Sequence, residues 1–163
     1  MSTVSPEIIA QIDALQQKYV YALDNKAFEA WTDTFDTAED TAYFCTPAEN
    51  EDNNLPIALM YDDCRQRIED RVTFITDIWK GTFQDYRTRH FIQRTFCEKS
   101  ASNIYAVETN FLIVYTPESG RSDVQVAGVY KDEVIIYGGE AKFKSKKAIY
   151  DTTVLPRYIV YPF

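Results

Sequence analysis

The second half of the chain is four long β-like runs with almost nothing between them. They read RTRHFIQRTFCEK (87–99), NIYAVETNFLIVYTP (103–117), SDVQVAGVYKDEVIIYG (122–138) and EAKFKSKKAIYDTTVL (140–155). Only SAS, ESGR and GG connect them. Connections this short force neighbouring strands to run antiparallel. Runs this long exceed the usual strand of about 5–6 residues, so the sheet has to curl. Gly128, inside the third run, is the position expected to bulge or bend. Twelve tyrosines and ten phenylalanines supply the broad side chains such a sheet buries.

The first half reads as helices. Ser5 is an N-cap, Pro6 suits the first helical position and Glu7 the positive end of the macrodipole. Ile8, Ile12, Leu15, Tyr19 and Leu23 then form one apolar stripe, which predicts a helix over 5–24. Phe28, Trp31 and Phe35 predict a second over about 26–34. DTAYFCTP (40–47) reads as a strand and AENEDNNLPIA (48–58) as a loop. A third helix is predicted over 61–79, started by Tyr61, Asp62 and Asp63 and buried through Ile68, Val72, Ile75 and Trp79. Helices followed by a long meander imply an α+β fold: N-terminal helices packed on one face of a strongly curved antiparallel sheet. That shape is a cone, and a cone can hold a ligand. The length of 163 residues fits one domain, 1–163.

Several chemistries are excluded by residue count. The chain has one histidine and no CxxC, so it cannot supply a Rieske centre, a two-histidine iron site or a His-rich zinc site. Neither GxGxxG nor GxxxxGK[ST] occurs, and no GxSxG elbow. A net charge of −8 argues against nucleic acid as a partner. Cys45, Cys64 and Cys97 read as reduced, buried thiols of a cytoplasmic protein. The opening MSTVSPEIIAQ lacks a signal-peptide pattern, and no run is apolar enough for a membrane span.

The lone His90 is the one candidate base. It would pair with Asp24, after the first helix, with Tyr43 polarising a carbonyl; the bland reading is a hydrogen-bonded scaffold histidine. Strand alternation puts Arg87, Arg89, Phe91 and Gln93 on one face and Thr88, His90, Ile92 and Arg94 on the other. Arg89 and His90 are therefore not expected to line one pocket. Alternation also places Lys142, Lys144 and Lys146 together, opposite Phe143, as a solvated face or a basic patch for an acidic partner surface. Asp62 and Asp63 are read as helix-start charges, with metal binding the lesser alternative. The last eight residues, PRYIVYPF, hold Tyr158, Ile159, Val160, Tyr161 and Phe163. Such a segment folds back on the core, is buried between subunits, or does both.

An ordered set of segments resembles the small (β) subunit of aromatic-ring-hydroxylating dioxygenases. It comprises YALDNKAFEAWTDTF with DTAYFCTPAEN, ALMYDDCRQRIEDRV, RTRHFIQR, VETNFLIVY, AGVYKDEV and KSKKAIYDTTVL. Arg94 and the stretch around Tyr130 depart from the family pattern. The resemblance implies a cystatin-like, nuclear-transport-factor-2-like cone. It implies a mainly structural subunit of a terminal oxygenase, built as α3β3 on a β homotrimer and used in aromatic catabolism. The Rieske [2Fe–2S] cluster and mononuclear iron would belong to the α subunit, with no cofactor in this chain. Arg89, His90, Tyr158, Ile159, Tyr161 and Phe163 are then candidates for subunit interfaces. The alternative is a free-standing dehydratase or isomerase, similar to scytalone dehydratase, using His90 and Asp24.

Overall fold

The computed structural model describes residues 4–163. Helix α1 spans Pro6–Asp24, and the Ser5 side chain accepts the Ile8 amide at 3.4 Å. Its stripe of Ile12, Leu15, Tyr19 and Leu23 is buried as the spacing predicts. Each such side chain contributes about 1.5–3 kcal/mol on burial. Helix α2 (Phe28–Thr32) brings Trp31 beneath α1, edge-on to Phe35 and Tyr43.

Six strands follow: β1 (Ala42–Pro47), β2 (Met60–Asp62), β3 (Tyr86–Lys99), β4 (Ile104–Pro117), β5 (Asp123–Tyr137) and β6 (Glu140–Tyr150). They form one sheet in the order β2-β1-β6-β5-β4-β3. The meander is antiparallel as expected, but β1 lies parallel to β6, with Ala42 level with Ser145 and Pro47 level with Tyr150. Register shifts at Arg94/Phe96, Ile113/Val114 and Glu133/Val134 raise the local twist and curl the sheet around α1.

Several expectations are corrected. The region 48–58 contains a short helix α3, Ala48–Asp52. Residues 61–79 are not one helix: Tyr61 and Asp62 belong to β2, α4 is Arg65–Thr73, and Phe74–Ile78 widens into a π turn. Asp62 is no helix-start charge, because the Arg71 guanidinium donates to it from α4 at 2.5 and 2.7 Å. Ile68 and Ile75 are buried, whereas Trp79 is exposed. β6 stops at Tyr150 and not 155. Gly128 is not a bulge. It lies level with Tyr150 of β6, and a Cβ there would lie 2.0 Å from the Ile149 carbonyl oxygen. Of the cysteines, Cys45 is fully buried, and burial pushes its thiol well above the ordinary range; Cys64 and Cys97 are half-buried.

Candidate functional site

His90 and Asp24 do meet. Asp24 ends α1 and faces β3, the outermost strand of the sheet. One carboxylate oxygen accepts from the Thr88 hydroxyl at 2.9 Å and lies 2.6 Å from His90 Nδ1; the other accepts the His90 backbone amide at 3.0 Å. Burial works to raise the Asp24 pKa, but these His90 and Thr88 contacts outweigh it and hold the carboxyl below its usual range. An ionised carboxylate only accepts, so Nδ1 carries the proton. Asp24 is thus spent on caging the free edge of β3 and tying it to α1, which shields an edge from pairing with another chain.

The other ring nitrogen, Nε2, is buried with no partner, and the His90 side chain is only 1% exposed. A general base must reach the proton it takes, at about 2.6–3.2 Å. His90 offers no open nitrogen for that. Alternation along β3 holds, with Arg87 and Arg89 exposed and Thr88 buried. The expectation that Arg89 and His90 share no pocket is corrected. Because β3 is an edge strand, both residues border one shallow groove with Gln17, Tyr21 and Asn25, His90 with its side chain buried. Tyr43, the third member of the dehydratase reading, is also engaged: its hydroxyl accepts the Phe163 amide at 3.0 Å and contacts the Phe163 carbonyl at 3.4 Å.

Inside the cone lies a network that the sequence did not announce. Lys146 Nζ donates to Asp132 at 2.9 Å and to Gln16 at 3.2 Å, and both members of the ion pair are fully buried. The Gln16 amide donates to Asp132 at 2.7 Å and Thr109 at 3.2 Å. Rings of Tyr130, Phe143 and Tyr19 surround the ammonium at 3.8, 4.2 and 4.4 Å. Burial pushes Asp132 up and Lys146 down, each toward its neutral form. Lys146 therefore does not share a solvated face with Lys142 and Lys144. The register pairs Glu133 with Ser145 but Val134 with Phe143, leaving Lys144 as an extra residue. That bulge reverses the alternation and turns both Phe143 and Lys146 inward.

The aromatic segment closes the cone. Tyr19 donates to the Phe163 carbonyl at 2.5 Å, and the Tyr86 hydroxyl accepts the Val160 and Tyr161 amides at 3.1 and 3.3 Å. Tyr161 donates to Asp85, which also holds Lys26. Val160, Tyr161 and Phe163 are buried within this chain, Ile159 is half-buried and Tyr158 is exposed. The segment folds back on the core, one of the two readings, and leaves Tyr158 and part of Ile159 at the surface. Among the interface candidates, Arg89 and Tyr158 stand at the surface.

Among the described residues no group of three or more His, Cys, Asp or Glu side chains is placed to hold a metal ion, and no helix is long and apolar enough to cross a membrane. The family model "Ring hydroxylating beta subunit" matches residues 18–157. The small subunit of anthranilate 1,2-dioxygenase from Burkholderia cepacia is 28% identical, over 93% of this chain and 92% of that one. A Novosphingobium aromaticivorans chain named as the β subunit of an aromatic-ring-hydroxylating dioxygenase superposes with a TM-score of 0.78 at 30% identity, covering 92% and 94% of the two chains. A second chain from that organism, named for scytalone dehydratase, gives 0.68 at 19% identity over 93% and 89%, a likeness of fold alone.

Proposed function

Because the chain belongs to the ring-hydroxylating dioxygenase β-subunit family, we propose that it serves as the non-catalytic subunit of a terminal oxygenase. In this reading residues 1–163 act as one domain, three copies form a base, and three α subunits complete an α3β3 assembly in the cytoplasm. The α subunit carries the Rieske cluster and the mononuclear iron and performs ring dihydroxylation. This chain lends rigidity and position.

The observation that carries the proposal is the state of the cone. In a cone-fold enzyme the interior is where substrate meets acid and base. Here Lys146, Asp132, Gln16 and Thr109 bond to one another, and Tyr19 and Tyr43 bond to the backbone of Phe163. Asp24 is committed to the edge of β3. Each of these acid, base and hydroxyl groups already bonds within the fold. The anthranilate relative points to an aromatic carboxylic acid as the first substrate class to assay.

The test is co-expression with an α-type subunit bearing CxH and CxxH ligand pairs, with a tag on one chain only. A stable complex that turns over an aromatic acid is the expected result. Turnover of hydroxylated polycyclic substrates by this chain alone, lost in His90→Ala, would overturn it.

A further inference from the structure

Two exposed patches of opposite charge lie at opposite ends of the convex face of the sheet. The first spans β3–β5. Register sets Phe91 level with Leu112 and Ala127, and Arg89 level with Val114 and Val124. Phe91 is 60% and Val124 50% exposed. Helix α1 covers only the concave side, where Gln16 meets Thr109 and Asp132. On this face β3 carries two basic side chains, Arg87 and Arg89, and one acidic, Glu98, in a chain of net charge −8, while Arg94 turns to α1 and pairs with Asp13. Arg87 and Arg89 are exposed and make no ion pair among the described residues.

The second patch lies at the β1–β2 end. A groove of about 280 Å³ is lined by Phe44, Leu55, Pro56, Ile57 and Tyr61, with Glu51 and Lys147 in its wall. Ile57 is 64% exposed. Beside it α3 shows Glu49 and Asp52 to solvent.

We infer that these patches are the two halves of one contact between copies of this chain. Phe91 of one copy enters the groove of the next, and its Arg87 and Arg89 meet the Glu49 and Asp52 of that next copy. The inference rests on the trimeric reading above and assigns its faces. A ring of three needs a head-to-tail contact, in which two different surfaces of one chain complement each other. Copies that each carry net charge −8 repel unless local charge is arranged to oppose the repulsion, and a basic strand facing an acidic helix does so. Aromatic and arginine side chains are also the residues that anchor interface centres.

Phe91→Asp and Ile57→Asp test this, since both positions are exposed and each fold can be checked by circular dichroism. In sedimentation velocity the native chain is expected as a trimer and each variant as a monomer. An equimolar mixture of the two variants retains one intact junction per pair, so it stops at a dimer. Arg87→Glu/Arg89→Glu gives an independent reading should Phe91→Asp misfold: it loses the trimer and regains it when Glu49→Lys/Asp52→Lys is added in the same chain. A native trimer that survives both Phe91→Asp and the double arginine reversal overturns the assigned faces and leaves the trimeric reading standing. A native chain found as a single copy, alone and in the purified oxygenase, overturns both.

Discussion

Lys146→Met removes the cation facing Asp132 while keeping most of the aliphatic volume. The carboxylate is then left with the Gln16 amide on one oxygen and no partner on the other. Breaking a buried ion pair by removing one partner costs about 3–5 kcal/mol. At about 2–4 °C per kcal/mol for a domain of this size, the melting temperature falls by about 6–20 °C. Lys146→Met/Asp132→Asn removes the stranded charge as well, so the double variant recovers part of the loss, with a coupling of about 0.5–3 kcal/mol. The pH dependence has a definite sign. Burial already holds Asp132 above the usual carboxylate range, and without Lys146 it rises further. The folded variant then keeps a proton that the unfolded chain releases above about pH 4, so its stability falls as pH rises, by up to about 1.4 kcal/mol per pH unit. The gap to the native chain therefore narrows toward about pH 4 and widens toward neutrality. Urea unfolding followed by tryptophan fluorescence at several pH values measures it, with Trp31 fully buried as reporter. A variant within about 1 kcal/mol of native at neutral pH, or a gap that ignores pH, would refute the reasoning that Asp132 is held as a charged partner.

Phe163→Ala empties a site at the centre of the core and is expected to cost about 3–5 kcal/mol in chemical denaturation; an unchanged midpoint with lost assembly would assign the segment to an interface instead. Asp24→Asn weakens three contacts to β3 and should cost about 1–3 kcal/mol at neutral pH. Asp24 is held below its unfolded pKa of about 3.9, so its contribution is present above that value and fades as pH falls through the lower folded one; thermal melts across the acid limb should show the curves of the native chain and the Asp24→Asn variant converging. Gly128→Ala drives a Cβ toward a backbone carbonyl that cannot step aside, so the loss should reach or exceed the roughly 1–3 kcal/mol of ordinary overpacking, read as insolubility or an early melt.

The meander was legible because its signals are local. Short turns dictate antiparallel neighbours, and strand alternation correctly separated exposed Arg89 from inward His90. The α1 stripe was equally plain, since a 3.6-residue period needs no tertiary knowledge. What the sequence hid depends on residues far apart. Lys146 looked like one lysine in a solvated row because a one-residue bulge opposite Glu133 and Val134 leaves no mark in composition. The strand at Met60–Asp62 was mistaken for a helix start because three residues are too few for periodicity, and pairing with β1 decided the matter. His90 and Asp24 could be proposed as partners, but the Thr88 and backbone contacts that commit Asp24 to the strand edge appear only once the sheet is folded.

The parallel pairing of β1 with β6 has a consequence for how the protein is made. Ala42 must wait for Ser145, roughly 100 residues later, before its strand finds a neighbour on that side. At about 5–20 residues per second, translation leaves the apolar stripe of α1 and the edge of β1 uncovered for about 5–20 s. The nascent chain thus passes through a stage with helices and no sheet to receive them, when a chaperone has most to hold. The last strand synthesised is the one that joins the two halves of the sheet, so a ribosome stalled before residue 140 releases an incomplete fold with an open seam.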